Sequence, residues 1–307
     1  MSSSKKNKLT AALWAVSCAV VWAFAFPLVK LGIKYFDIAA NDTAAKTLFA
    51  GVRFFSAGII ILIIAKFRGI SVKIEGTKNK LIVLLFGLVN TTLHYFFYYI
   101  GLSNQSGSRS AIINSMSSFI LILSACAVFK EEKLTLRKII GCILGFGGIL
   151  MINIGGDLLS EFTFMGDGML LISSIFSAMG GLLTRVAGKK GHSFAVTGIS
   201  LAFGGALMII FGLIMGGALS VWTFSGIIIL MLLTFISVYG FSVYNRLICL
   251  YPVGEIAIFN SLIPILGVIF SCIILGETFQ YKYIIAGFVV SAGICVINFS
   301  HDNKDKK

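Results

Sequence analysis

His94 sits near the middle of a long apolar run, among Asn90, Thr91, Tyr95, Tyr98 and Tyr99. An ionisable side chain inside a membrane span is costly and usually faces a cavity, a substrate path or a proton path. Imidazole changes charge near neutral pH, so this residue can bind a solute or carry a proton. The alternative is a neutral ring hydrogen-bonded between helices. Trp22 falls near mid-membrane in the first run and is followed by Pro27. That proline removes the hydrogen bond that would reach the carbonyl of Ala23. Indole and opened turn form either one wall of a substrate site, with Pro27 as a hinge, or a packed aromatic beside a tolerated kink.

Other polar groups recur at helical spacing. Ser110, Asn114, Ser117 and Ser124 share one face of a greasy helix, and Ser173, Ser177, Gly180 and Thr184 do the same farther on. Hydroxyls and amides in hydrocarbon need partners, so each stripe faces another helix or water in a cavity. Arg53 lies roughly 10 Å into its helix from the outer end, deep for snorkelling alone. It serves either as a clamp on loop carbonyls or as the partner of a carboxylate substrate. Lys30 and Lys34 lie near the outer end of the first helix, where lysines snorkel, although Lys30 can also attract an anion.

What is absent narrows the chemistry. None of the 12 acidic residues falls in the central third of a span, so a carboxylate proton relay and tight pairing of a cationic drug have no carrier. The same census disfavours prenyl-transfer enzymes, whose D-D-x-x-D motifs hold Mg²⁺. No G-x-x-x-x-G-K-[ST] loop exists to cradle nucleotide phosphates. The 6 cysteines are scattered through apolar runs without C-x-x-C spacing, which signals neither zinc nor a disulfide framework. No metal and no cofactor are expected.

The elements that carry these residues are membrane spans. The chain is 58% hydrophobic and 12% charged, with a mean hydropathy of +0.98, which places it in the membrane class. Ten runs approach the ~20 apolar residues that a bilayer requires: about 9–35, 46–66, 81–102, 109–129, 136–154, 165–186, 194–217, 222–247, 255–275 and 282–299. The first is too long, and lacks the small-residue cleavage site, to be a removable signal peptide. The net charge of +13 reflects alternate loops. Lys66, Arg68, Lys73, Lys78 and Lys80 follow the second span; Lys130, Lys133, Arg137 and Lys138 follow the fourth; Arg185, Lys189 and Lys190 follow the sixth. Lys5, Lys6, Lys8, Arg246, Lys304, Lys306 and Lys307 fall on the same side, and the other loops hold only Lys30, Lys34, Lys46, Arg109 and Lys282. The positive-inside rule then puts both termini in the cytoplasm, and no nucleic-acid partner is needed to explain the charge.

The chain also repeats itself. Glu132 to Asn153 (EKLTLRKIIGCILGFGGILMIN) nearly reappears as Glu277 to Asn298 (ETFQYKYIIAGFVVSAGICVIN), and SAIINSM at Ser110 is echoed by IAIFNSL at Ile256. Asn114 aligns with Asn260, Ser115 with Ser261 and Tyr98 with Tyr244. Each copy holds five spans, so the second enters the membrane inverted, the arrangement of alternating-access carriers. The expected units are 1–155 and 156–307. The fifth and tenth spans are almost bare of polar side chains, and Gly141 and Gly145 have close-packing G-x-x-x-G spacing. These two are expected as peripheral supports, usable within one chain or in a dimer; the sequence does not fix the oligomeric state.

Trp22 to Lys30 (WAFAFPLVK), Arg53-Phe54, the Asn-Ser starts of the fourth and ninth spans, and Pro264 followed by an apolar run into Gly276-Glu277 resemble the drug/metabolite transporter superfamily in its ten-helix EamA branch. Phe129-Lys130-Glu131-Glu132 is the first-half counterpart of that last motif, and the resemblance covers nearly the whole chain. It implies an all-α bundle of two inverted five-helix repeats around a cavity lined by helices 1, 3, 4, 6, 8 and 9, moving small metabolites, commonly by export. The first copy has Ser118 or Phe119 where the second has Pro264, a candidate hinge, so helix 4 is expected to bend less than helix 9. The expected protein is a multi-pass secondary transporter of the cytoplasmic membrane for a small organic metabolite, an amino acid or derivative. Its candidate site comprises Trp22, His94, Tyr98, Asn114, Ser115, Ser177, Tyr244, Asn260 and Ser261. The alternatives are an exchanger of phosphorylated or nucleotide-linked metabolites using Lys30, Arg53 and Arg185, and, from other classes, a membrane-embedded enzyme or a receptor.

Overall fold

The computed structural model describes residues 2–128, 134–151, 162–251, 256 and 258–298. Glu131, Glu132 and the expected boundary near residue 155 lie outside the described residues. The described residues are mostly helical, with no strand among them. The helices are α1 (Ser2–Tyr35), α2 (Thr43–Phe67), α3 (Thr77–Ser103), α4 (Gly107–Val128), α5 (Leu136–Met151), α6 (Phe164–Ala187), α7 (Ser193–Ile214), α8 (Phe224–Leu250), α9 (Phe259–Leu275) and α10 (Tyr281–Asn298). Seven of them, α1 to α4 and α6 to α8, are long and apolar enough to cross a membrane; α9 and α10 are shorter apolar helices. Their starts follow local chemistry. Asp42 accepts the amide of Ala45 at 2.8 Å and Thr223 accepts that of Gly226 at 3.0 Å, each satisfying a donor that the first turn leaves open.

Burial is arranged for a lipid solvent. Large apolar side chains cover the outside, with Ile214 75% and Ile273 74% exposed, while Arg53, His94, Ser173, Ser237 and Asn245 are buried. Charged and polar groups turned inward are what hydrocarbon surroundings demand.

Two glycine seams hold the bundle. Along α2 and α7, a Cβ on Gly58 would lie 2.2 Å from the Ala202 amide nitrogen, and one on Gly205 would lie 2.2 Å from that of Phe55. Backbones this close leave no room for a methyl group, and small residues supply such an approach between membrane helices. Between α5 and α10, a Cβ on Gly293 would lie 2.6 Å from the Gly141 carbonyl and 3.0 Å from the Gly145 amide. The G-x-x-x-G pair is thus used within the chain. The remaining packing is reciprocal: α1 lies against α8 and α9, and α6 lies against α3 and α4.

Helix irregularities concentrate where the candidate residues lie. In α3 the segment Leu88–Leu93 widens into a π-helix immediately before His94, a distortion often found at functional sites. In α4 the regular ladder ends at Asn114 and resumes at Met116. Ser115 bonds back to Ile112, and Ser118 to Ser115, in tighter three-residue steps. In α9 a 3₁₀ turn, Ile258–Ser261, precedes the regular helix. Helix 4 is therefore interrupted although it has no proline there, and the breaks fall at the aligned residues Ser115 and Ser261. Pro264 itself lies in the first turn of Leu262–Leu275, where its missing N–H costs no helical bond. Pro27 lies inside the continuous α1.

Candidate functional site

A chain of aromatic rings runs through the bundle interior. The Trp22 ring on α1 lies 4.7 Å from Tyr244 and 5.7 Å from Phe241 on α8. Phe241 leads to Tyr95 at 6.4 Å, and Tyr95 to Tyr98 at 5.6 Å on α3. Tyr98 returns to α1 through Phe26 at 6.0 Å. These separations and tilted approaches are those that aromatic quadrupoles favour. The sequence builds the chain from helical spacing: Tyr95 and Tyr98 share a face, as do Phe241 and Tyr244. Trp22, Tyr95, Phe241 and Tyr244 are only partly buried, although rings from facing helices surround them. Internal surface of that kind can receive a flat or apolar solute group.

Polar atoms around the rings are few and specific. Asn260 at the start of α9 donates from Nδ2 to the Tyr244 hydroxyl at 2.7 Å, tying the ring chain to the second half's helix break. His94 lies 4.2 Å from Tyr95, ring to ring, and its Nδ1 finds no hydrogen-bond partner among the described residues. Neither do Trp22 Nε1 and Asn114 Oδ1. Unpaired buried polar atoms are costly, so this region holds hydrogen-bonding capacity that another arrangement or a bound solute can satisfy.

Arg53 lies beneath the ring chain, 2% exposed. Its Nε donates to the Leu233 carbonyl at 3.1 Å and to Ser237 Oγ at 2.9 Å, and Nη1 donates to the Tyr99 hydroxyl at 3.0 Å. Its guanidinium carbon also stands 4.7 Å from the Phe54 ring centre, a cation–π distance. Arg53 is therefore a clamp, though on the middle of α8 and on α3, where a clamp on loop carbonyls was expected.

The structure brings Trp22, His94, Tyr98, Tyr244 and Asn260 into one connected group. Ser177 is partly exposed on α6. Ser115 spends its hydroxyl on the Ile112 carbonyl, and Ser261 is engaged by Ser291 and Cys295 of α10. These two serines belong to the helix breaks. Pro27 and Pro264 are buried at the positions described above.

A second polar group, unforeseen from sequence, closes the end of the bundle away from the N-terminus. Arg109 Nε meets Asp167 Oδ1 at 2.7 Å, and Nη2 meets Oδ2 at 3.2 Å. Asp167 also accepts Gln105 Nε2 at 3.0 Å and the Thr163 amide at 2.9 Å. Glu277 accepts the Gly107 amide at 2.6 Å, the Ser108 amide at 3.0 Å and the Ser108 hydroxyl at 2.7 Å. Lys30 donates to the Gln105 carbonyl, and its charge interacts with that of Glu277. Arg109 and Lys30 read in sequence as loop and snorkelling cations. Only the pairing of distant segments gives them partners.

Comparison with known proteins places this geometry. The model of the EamA-like transporter family matches twice, over residues 9–154 and 164–299. The transporter YvbV of Bacillus subtilis is 25% identical over 95% of this chain and 92% of its own. An S-adenosylmethionine/S-adenosylhomocysteine transporter of Chlamydia muridarum is 24% identical over 89% of this chain and 86% of its own. A probable amino-acid metabolite efflux pump of Salmonella typhimurium is 24% identical over 92% of both. One crystal structure matches with a TM-score of 0.66 at 16% identity, covering 94% of this chain and 96% of that one, a likeness of fold alone.

Proposed function

Because the chain belongs to the EamA-like transporter family, a family of transporters and not of enzymes, we propose that it is a secondary transporter that carries a small amino-acid-like metabolite by alternating access. It is a multi-pass membrane protein. The observation that carries the reading is the ring chain Tyr244–Trp22–Phe241–Tyr95–Tyr98, which joins helices of both sequence repeats and leaves Trp22, Tyr95, Phe241 and Tyr244 only partly buried.

The mechanism follows from an inverted repeat. Exchanging helices 1 to 5 with 6 to 10 turns the α1 contacts with α8 and α9 into the α6 contacts with α3 and α4, and leaves α2–α7 and α5–α10 as pairs of equivalents. That reciprocity, the double family match and the aligned breaks at Ser115 and Ser261 support two inverted five-helix units, 1–155 and 156–307. Group α1, α8, α9 then rocks against group α3, α4, α6, with the two glycine seams as rigid supports. The charge of the loops supports cytoplasmic termini, which puts the Glu277 end outside.

For the substrate, the site offers aromatic faces, the Asn260–Tyr244 pair and His94 without a carboxylate. An amino acid or derivative suits it, as do the substrates named for the Chlamydia and Salmonella relatives. Phosphorylated metabolites suit it less: Arg53 and Lys30 are engaged by protein oxygens, and Arg185 lies in the last turn of α6. Purified protein screened by thermal shift against amino acids, S-adenosylmethionine, small cations and phosphorylated metabolites tests this, since a ligand at ~100 times its Kd adds about 2.7 kcal/mol. Selective stabilisation by amino-acid compounds, lost in Trp22→Ala, is expected. Stabilisation by phosphorylated compounds alone would overturn the substrate class.

A further inference from the structure

The polar contacts at the Glu277 end sort into two kinds once the helix groups are separated. Arg109–Asp167, Gln105–Asp167 and Gln105–Thr163, the last at 2.8 Å, lie among α4, α6 and the segment between α3 and α4. They bind one group to itself. Glu277 and Lys30 belong to the other group, through the end of α9 and α1, and both reach across to the segment from Gln105 to Ser108. All three Glu277 bonds fall on the first turn of the piece Gly107–Asn114, which ends at the break at Ser115. A carboxylate on a helix N-terminus gains from the open amides and the helix dipole, and from charge-assisted bonding.

From this division we infer that Glu277 and Lys30 form a releasable latch that holds this end of the pathway shut, while the Arg109–Asp167 pair keeps α4 with α6 so that their group moves as one body. The inference rests on the transporter reading above. A permanent seam between these groups is better made from apolar or glycine contacts, as at α2–α7. Glu277 and Lys30 are only half-buried, and charge contacts withdrawn from water give little net stability, their best-attested uses being in registry and switching. Beneath the latch the packing is tight: Ser271 on α9 is fully buried, and a Cβ on Gly107 would lie 2.5 Å from its Oγ. The Ser271 hydroxyl has no partner among the described residues. Lifting α4 from α9 would expose it to water.

Ser271→Cys is therefore a reporter of opening that leaves the latch residues intact. It is combined with Cys272→Ala, since the Cys272 sulfur lies 3.9 Å from Ser108 Oγ. In the full chain in sealed membrane vesicles, the membrane-impermeant thiol reagent MTSET is added at the outer face. Slow modification of Cys at 271 is expected. Glu277→Gln should raise its rate about tenfold or more, the factor set by about 1.4 kcal/mol of latch stability, and Lys30→Met should raise it less. Gly58→Ala, which disturbs the α2–α7 seam, should leave the rate unchanged and so separates release from general loosening. A rate unchanged in both Glu277→Gln and Lys30→Met, in protein that elutes as the parent does, would overturn the latch. So would an equal increase in Gly58→Ala. The assay needs no transported solute, so failure of the transporter reading would show instead as absent counterflow in the parent protein.

Discussion

Replacing Gly58 by alanine tests whether the α2–α7 seam is as tight as the structure has it. On an open helix face the change should help, because alanine is favoured over glycine by about 0.5–1 kcal/mol. Gly147 is such a face: a Cβ there meets nothing within 4 Å. At Gly58 the new carbon would lie 2.2 Å from the Ala202 nitrogen and 2.6 Å from its Cα. Both are backbone atoms, which cannot rotate away, so the helices must separate. Forcing an extra carbon into a packed interior costs about 1–3 kcal/mol. Net of propensity, Gly58→Ala is expected to destabilise by about 1–2 kcal/mol and Gly147→Ala to stabilise by about 0.5–1 kcal/mol. Unfolding of the two variants beside the parent, by scanning fluorimetry in one detergent, reads the sign directly. An upward shift of similar size in both would refute the seam.

Other substitutions have defined outcomes. Tyr99→Phe removes the acceptor of Arg53 Nη1 and should cost about 1–3 kcal/mol in denaturant unfolding, because a charged donor is left unpaired. Asp42→Ala, which removes the cap on α2, should cost about 1 kcal/mol in the same assay. Trp22→Ala deletes the ring that joins α1 to α8 and should weaken binding of the compound selected by thermal shift by about tenfold or more, about 1.4 kcal/mol, in a titration of that compound. Unchanged affinity in folded protein would remove Trp22 from the site.

The spans were legible because a bilayer demands long apolar runs whatever the packing. The run expected over 81–102 is found at Thr77–Ser103, and that over 222–247 at Phe224–Leu250. The ring chain was half legible: Tyr98 and Tyr244 align between repeats and Tyr95 adjoins His94, while Phe241 is lost among 27 phenylalanines. The α2–α7 seam left a signal in glycines seven apart, at 51 and 58 and at 198, 205 and 212, which also occurs by chance in a glycine-rich chain. The π-helix before His94 and the break at Ser115 carry no proline to announce them. Arg109 and Asp167 looked like ordinary loop charges and Glu277 like part of a repeated motif, because their contacts depend on which distant segments meet at one end of the bundle.

Counterflow tests the central claim most directly. Proteoliposomes are loaded with an unlabelled compound from the thermal-shift screen, placed in a trace of the labelled compound without ATP, and followed for uptake against empty-liposome controls. Alternating access predicts transient accumulation of label above equilibrium, abolished in Trp22→Ala. Binding without accumulation, or accumulation only when ATP is supplied, would contradict the assignment of this protein as a secondary transporter.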